Sequence, residues 1–195
     1  PASQGKAYSN SGAASFRPCE ESEEVVMIRR PMKGDQLEDL TRLRFPLFAF
    51  PKIDGFRCVL GKRPLTSRLS PFPNRHFDKE ASGVLPDLCF LDGEVVVGKK
   101  RGKDVLGRTS SGLTKREGEP DWTLWVFDRP CLPDAPGFHD RYLSAADLIA
   151  SVGHPRIRLL KGKLIENLAQ LKRYIKKKLR QGYEGVMVRS LDGPY

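Results

Sequence analysis

The sequence lacks the features that mark membrane-spanning and secreted proteins. Its apolar runs stay well below the ~20 residues that a transmembrane helix needs, and its first residues carry no basic segment followed by an apolar stretch. Cysteine is scarce, and its four occurrences form no Cys-x-x-Cys pair, so we expect reduced thiols. They are Cys19, Cys58, Cys89 and Cys131. We therefore expect an intracellular protein that is not secreted and has no membrane partner.

Acidic residues are too few to balance the basic ones. The 195 residues include 34 Lys and Arg against 24 Asp and Glu, which gives a net charge of +10. Such an excess favours a polyanionic partner, nucleic acid first. A basic protein whose charge only keeps it dispersed has the same balance, so charge alone does not separate the two. The basic loop over 99–103 either touches backbone phosphates or is simply solvated, and the helix face near Lys176 is expected to be solvated surface.

The first residues differ in composition from the rest of the chain. Residues 1–24 are rich in Ser, Gly and Ala and show no apolar periodicity, which predicts a disordered or loosely attached arm. Residues 25–195 mix short strand-type runs with helical patterns. We expect them to form one α+β domain with mainly antiparallel sheets and flanking helices.

Apolar periodicity and turn residues predict the elements of this domain. Five apolar residues recur at helical spacing between residues 164 and 179, which predicts an amphipathic helix over 164–180 that ends at Gly182. A second helix over 140–152 is stopped by Gly153, and a short one over 35–43 is capped by Asp35. The remaining elements are strands over 25–28, 90–97, 122–127, 157–160 and 185–189, and loops over 65–74, 99–103 and 109–112.

Residues 51–57, Pro-Lys-Ile-Asp-Gly-Phe-Arg, contain a candidate nucleophile, Lys52. Strand-type runs lie on either side, and the Asp54-Gly55 pair between them is a strong turn signal, so we expect a hairpin with Lys52 at its mouth. A lysine acts as a nucleophile only when deprotonated, so its pKa near ~10.4 must be lowered by desolvation or by nearby cations. Packing between Phe50, Phe56 and Val59 would supply the desolvation, and Arg57 would be the nearby cation. A hairpin with a solvent-exposed lysine at its turn fits the same residues.

Three later segments carry chemical groups at strand ends. Asp92-Gly93-Glu94 leads into a Val-rich strand, and Glu184-Gly185 leads into the last predicted strand. Phe127 ends an apolar run before Asp128. Taken one at a time, Glu94 and Glu184 also fit solvated turn acids, and Phe127 also fits a core position.

In this order, the segments resemble the covalent nucleotidyltransferase superfamily of DNA ligases, RNA ligases and mRNA capping enzymes. That family carries Lys-x-Asp-Gly-x-Arg, then Asp-Gly-Glu, then an aromatic strand end, then Glu-Gly before a hydrophobic strand. Six further segments look like the small ATP-dependent DNA ligases of viruses and bacteriophages: residues 30–32, 44–46, 66–68, 71–74, 109–111 and 191–195. The resemblance implies an ATP-grasp-like nucleotidyltransferase fold from about residue 30 onward.

The resemblance implies a nucleotide site in which Lys52 attacks the α-phosphate of ATP, expels pyrophosphate and holds AMP as a phosphoramidate. Phe127 would stack on adenine. Glu184 and Glu94 would hold Mg²⁺ or another divalent cation, since carboxylate oxygens suit that ion, and the position of Glu94 also contacts the ribose in the family. The residues implied for ATP or AMP binding are Lys52, Ile53, Arg57, Glu94, Phe127 and Glu184.

The resemblance also implies a nicked double-stranded DNA partner and a monomeric enzyme of DNA replication, repair and recombination. It would work in a bacterial or viral-host cytoplasm or in a nucleus. Arg57 and Arg68 would hold the nick phosphate, because a guanidinium fork matches two oxygens. AMP would then pass to the 5′-phosphate, and the 3′-hydroxyl would displace it and seal the strand.

The end of the sequence departs from the family pattern. A Lys-x-Lys pair on a further strand and an OB-type domain follow in the family, whereas this sequence ends at Tyr195. We therefore expect an adenylylation domain that is incomplete at its C-terminus and inactive alone. An RNA ligase or a GTP-dependent capping enzyme would share Lys52, Glu94 and Glu184, and a degenerate domain that binds nucleic acid without chemistry also fits these residues.

Overall fold

A computed structural model describes residues 30–87, 89–130 and 137–195. The predicted arm over 1–24 and the predicted strand over 25–28 lie outside these residues. Cys58 is a free thiol, and burial raises its pKa. In the described ranges, no helix is both long enough and apolar enough to span a bilayer.

The described residues contain eight strands in two sheets. One sheet has three strands in the order β7-β1-β8, and the other has five in the order β3-β2-β4-β5-β6. Every pairing is antiparallel except β5 with β6, which confirms the predicted α+β class. The strands are β1 Leu47–Lys52, β2 Phe56–Leu60, β3 Pro64–Thr66, β4 Leu91–Val97, β5 Trp122–Asp128, β6 Ile157–Leu159, β7 Lys163–Ile165 and β8 Gly185–Ser190.

Four α-helices and one 3₁₀ turn accompany the sheets in the part of the chain that the structure describes. They are α1 Arg75–Ala81, α2 Val105–Leu113, α3 Phe138–Val152 and α4 Leu168–Arg180, with the 3₁₀ turn at Leu40–Arg42. The prediction of α3 is confirmed. Its end follows from Gly153, which adopts the left-handed conformation with φ 64° that favours glycine.

Three apolar clusters hold these layers together. Phe77 of α1 and Leu148 of α3 pack with Leu124 on one face of the five-stranded sheet. The opposite face of that sheet meets the three-stranded sheet, where Phe127 and Phe50 share a cluster. A third cluster packs α4 against the outer face of the three-stranded sheet. The second cluster matters most for function, because it fixes the position of one sheet relative to the other.

The predicted hairpin around Lys52 is wrong. β1 pairs with β7 and β8, whereas β2 pairs with β3 and β4, so the turn carries the chain from one sheet to the other. Gly55 allows this crossing, because a Cβ there would lie 2.5 Å from the carbonyl oxygen of Val95. The local turn signal was correct, but the partners of each strand are distant in sequence.

The bounds of several other elements also differ from prediction. Only Leu40–Arg42 is helical in the predicted 35–43 segment, and Asp39 rather than Asp35 caps it by accepting from the Thr41 N–H at 2.9 Å. The long helix begins at Leu168 rather than at 164, because Lys163–Ile165 is committed to the sheet as β7. Asn167 caps this helix by accepting from the Gln170 N–H at 3.0 Å.

Two helices replace predicted or unassigned loops. Residues 109–112, predicted as a small-residue loop, belong to α2, where a Cβ on Gly112 would lie 2.9 Å from a methyl carbon of Val97. The small residues therefore permit close packing of α2 on β4. The helix α1 was not predicted; Asn74 caps it by accepting from the Phe77 N–H at 2.8 Å.

Candidate active site

Lys52 and Glu184 meet where β1, the central strand of the three-stranded sheet, ends beside the start of β8. Lys52 ends β1 opposite Gly185 of β8, and this register brings the preceding residue, Glu184, beside it. The Lys52 ammonium forms an ion pair with the Glu184 carboxylate, and each side chain is 45% exposed. The two predicted catalytic groups are thus in contact and open to a ligand.

The five-stranded sheet contributes a row of side chains on the face that meets the other sheet. Arg57 of β2, Glu94 of β4, Trp125 of β5 and Arg158 of β6 lie opposite one another in register, and residues directly opposite share a face. Trp125 packs in the cluster between the sheets. Glu94 therefore lies on the sheet surface that faces β1 and β8, as a site shared with Lys52 requires.

Glu94 is a carboxylate in a dehydrated setting. The pKa of Glu94 is raised to about 8, chiefly by burial and also by the charge of Asp92, although Arg57, Lys52 and a hydrogen bond from the Gly55 backbone oppose the shift. The positive charges of Arg57 and Lys52 thus do not fully offset the cost of burying the ionised Glu94 carboxylate. A bound cation would supply that charge.

The acids present fit a magnesium ion that also binds substrate phosphates. Among the described residues, no group of three or more His, Cys, Asp or Glu side chains is placed to hold a metal ion. Mg²⁺ is typically bound through one or two carboxylates plus phosphate oxygens and water, rather than by an all-protein cage. Two carboxylates meet this description. Glu184 is half-exposed, and Glu94 is a buried carboxylate whose ionised form a cation would stabilise.

Arg57 is anchored before any ligand arrives. Its Nε and Nη2 each donate to a carboxylate oxygen of the fully buried Asp92 at 2.5 Å, and the Asp92 carboxylate also accepts from the Tyr195 hydroxyl at 2.8 Å. Burial lowers the pKa of Arg57, but the charge of Asp92, the hydrogen bonds to it and the charges of Tyr195 and Glu94 together raise the pKa overall. One edge of the guanidinium, the side formed by Nε and Nη2, is thus occupied, which fixes its orientation at the wall of the site.

Phe127 and Ile53 are more buried than a side chain that is freely accessible to a nucleotide base would be. Phe127 is 5% exposed and Ile53 4%, and both belong to the cluster between the sheets. The Arg57 guanidinium carbon lies 4.6 Å from the centroid of the Phe127 ring, so Arg57 covers one face of that ring. Stacking of adenine on Phe127 stays a prediction.

A buried network around Asp128 was missed by the sequence analysis. Asp128 accepts hydrogen bonds from Arg141 Nε at 2.8 Å and Nη2 at 3.2 Å, and from Arg189. Arg189 lies on β8 and Asp128 ends β5, so this bond ties one sheet to the other. An aspartate directly after an apolar strand was the available signal, but the distant arginines could not be read from it.

Arg68 and Arg57 line one cavity of about 700 Å³. Arg30 and Lys33 also line this cavity, so four cationic side chains surround it. The full lining is Arg30, Pro31, Met32, Lys33, Gly34, Arg57, Ser67 and Arg68. The two arginines predicted to hold a phosphate therefore converge on one strongly basic cavity, and Arg30 and Lys33 join them there.

Comparison with known proteins identifies the fold. No protein-family model matches the chain, and no curated protein sequence matches it. The Chlorella virus DNA ligase-adenylate is 25% identical with a TM-score of 0.72, over 87% of this chain and 63% of that one. A structure from a study of Lig E DNA ligases is 18% identical with a TM-score of 0.60, over 77% and 57%. The ATP-dependent DNA ligase of bacteriophage T7, in complex with ATP, is 16% identical with a TM-score of 0.53, over 77% and 58%.

These solved structures confirm the resemblance seen in the sequence. The chain has the fold of the nucleotidyltransferase domain of ATP-dependent DNA ligases. It spans 63% of the Chlorella virus ligase and smaller shares of the other two.

Proposed function

We propose that this chain is the adenylylation domain of an ATP-dependent DNA ligase. The observation that carries the proposal is the half-exposed Lys52–Glu184 ion pair, with Glu94 on the facing sheet. The order of the motifs and the ligase fold support it. The basic cavity around Arg57 and Arg68 adds a second binding feature suited to phosphate.

The chemistry begins when the Lys52 ammonium, which is paired with Glu184, loses one proton and becomes a neutral amine. Its nitrogen attacks the α-phosphorus of ATP, so that an N–P bond forms while the P–O bond to the β-phosphate breaks and pyrophosphate leaves. The amine proton passes to Glu184 or to water. A terminal oxygen of a DNA 5′-phosphate then attacks the same phosphorus, so that an O–P bond forms while the N–P bond breaks, and the Lys52 nitrogen leaves as an amine after taking up a proton from water. Finally the 3′-hydroxyl oxygen attacks the 5′-phosphate, loses its proton and displaces AMP.

Positioning and charge neutralisation would supply most of the rate for such phosphoryl transfer. Glu184 and Glu94 are the residues that would hold Mg²⁺, which supplies neutralisation of phosphate charge when bound. Arg57, held by Asp92, would present its remaining N–H groups at a fixed angle. Arg68 would hold the 5′-phosphate of the nick from the other side of the basic cavity.

The test is covalent labelling with ATP and Mg²⁺, followed by mass spectrometry of a protein digest. Because the chain spans 63% of the Chlorella virus ligase, the assay uses the chain and a chimera that adds the unmatched part of that ligase. One AMP on Lys52 of the chimera is expected, and little or none on the chain alone. The label should be lost in the Lys52→Arg chimera and retained in the Lys62→Arg chimera, a control at an exposed turn. Equal labelling of Lys52→Arg refutes the assignment.

Two comparisons separate the ligase from its relatives in the same assay. ATP should label the protein in preference to GTP, and the chimera should seal nicked DNA in preference to nicked RNA. Preference for GTP would instead indicate a capping enzyme, and preference for RNA an RNA ligase. DNA binding without any adduct on the chimera would indicate a domain that has lost its chemistry.

A further inference from the structure

Basic residues are concentrated in one part of this chain. Residues 156–183 contain ten Lys and Arg and a single acidic residue, so they carry +9 of the total charge of +10. The basic residues are Arg156, Arg158, Lys161, Lys163, Lys172, Arg173, Lys176, Lys177, Lys178 and Arg180. The loop over 99–103 adds four more basic residues. The fold brings this loop to the same surface, because Gly102 N–H donates to the Gly182 carbonyl at 2.9 Å.

Lys100 lies at the centre of this surface. Its ammonium is 3.2 Å from the centroid of the Trp125 ring. Four other cations from the loop, β6, the β6–β7 connection and α4 act on it electrostatically. We call the set the Lys100 cluster: Lys100, Arg101, Arg158, Lys161 and Lys178.

The Lys100 cluster lacks compensating acids. In the part of the chain that the structure describes, no ion pair joins any of its members to a carboxylate. Burial, followed by the like charges of its four neighbours, lowers the pKa of Lys100 to about 8. Five cations held together without a counter-charge form a site whose repulsion an anion would relieve.

Aromatic groups shape the same site. The Trp125 ring lies beside two of the cations, with the Arg158 guanidinium carbon 6.0 Å from its centroid on the neighbouring strand. The Lys178 ammonium lies 5.1 Å from the Tyr174 ring centroid and 5.4 Å from that of Tyr183. These rings hold the Lys178 ammonium in place, as a binding site requires.

The Lys100 cluster is separate from the cavity around Arg57 and Arg68. Arg57 and Arg158 lie at opposite ends of the row across β2, β4, β5 and β6, and three strand spacings amount to about 14 Å. Duplex DNA carries a phosphate every ~3.4 Å of axis on each strand. One duplex can therefore contact both basic regions at different phosphates.

We propose that the Lys100 cluster is a second phosphate-binding site, which holds the backbone of duplex DNA away from the strand break. The inference rests on the proposed function for its choice of DNA. The triphosphate tail of a nucleotide offers the same chemistry, and the experiment includes an arm for it.

The experiment measures binding of an unnicked duplex, without ATP, as a function of salt. The test variant is Lys161→Gln with Lys178→Gln. The control is Lys62→Gln with Lys79→Gln, two exposed positions near the β2–β3 turn and on α1 that remove the same charge. Because no nick or ATP is present, failure of adenylylation has no effect on the result. Circular dichroism melting checks that both variants fold.

The test variant should bind the duplex more weakly and show a log–log salt slope reduced by about 2, because each of the two lysines would neutralise one phosphate. The control should keep the slope of the unmodified protein. Equal changes in the two variants would overturn the proposal, because they would reflect net charge alone. In a parallel titration with tripolyphosphate, the test variant should match the unmodified protein. Loss of tripolyphosphate binding with normal duplex binding would assign the cluster to a nucleotide tail and overturn the DNA assignment.

Discussion

Replacing Asp128 by asparagine is expected to destabilise the fold by about 3–5 kcal/mol, the range for breaking a buried ion pair from one side. Asp128 is fully buried, and its partner Arg141 is 2% exposed. The carboxylate accepts hydrogen bonds from Arg141, from Arg189 and from the Arg129 backbone N–H at 2.8 Å. Asparagine keeps the shape of the side chain but not its charge.

The cost arises because the buried guanidinium of Arg141 would keep its charge and lose this carboxylate. The new amide group would also direct N–H donors at guanidinium donors, which removes acceptors as well as charge. Arg141 would retain its 3.1 Å hydrogen bond to the Gly193 carbonyl, so the loss should fall short of complete unfolding. For a domain of this size the change corresponds to a Tm lower by roughly 6–20 °C.

Urea unfolding, followed by circular dichroism, measures this change directly. The matched control is Asp78→Asn, which removes the carboxylate of a partly exposed pair with Arg63 at 2.9 Å and should cost only about 0–1 kcal/mol. The reasoning is refuted if Asp128→Asn costs no more than this control.

Three further changes test the candidate site and the basic surface. Phe127→Leu should weaken ATP binding by about 1–3 kcal/mol if adenine stacks on the ring. Calorimetry measures this affinity. An unchanged affinity per folded molecule would make Phe127 a core residue only. Arg68→Ala should leave AMP loading nearly intact and slow nick sealing in the chimera, because Arg68 lies in the basic cavity away from Lys52; equal loss in both steps would contradict this. Because the pKa of Lys100 is lowered to about 8, its neutral amine accumulates near that pH, and its acetylation rate should stop rising above it. Mass spectrometry with exposed Lys62 as reference tests this, and coincident pH profiles would refute it.

The sequence predicted the elements whose signals are local. The apolar runs of β4 and β5 and the end of α3 at Gly153 are confirmed because each depends on neighbouring residues. The segment 109–112 was misread because glycine and serine are weak helix formers, yet packing on β4 makes it part of α2. The start of α4 was misplaced because the apolar residue Leu164 continues the helical spacing into β7.

The candidate site was predictable as a set of residues but not as a set of contacts. Lys52 and Glu184 are 132 residues apart, and only strand pairing shows that they touch. The fork of Arg57 on Asp92 was equally hidden, because an arginine fork matches any carboxylate and the sequence contains 24 acids. The sequence therefore predicted which residues belong to the candidate site, and the strand register shows which of them are in contact.

The proposed site residues are divided between the two sheets. Lys52 and Glu184 belong to the three-stranded sheet, and Glu94 and Phe127 to the five-stranded one. A misplacement of about 1 Å between reacting groups can cost on the order of 10²-fold in rate, so the position of one sheet against the other must be held closely. The bond from Arg189 to Asp128 joins the sheets directly. We therefore predict that Asp128, the buried acid at the end of β5, acts as a positioning residue for the candidate site.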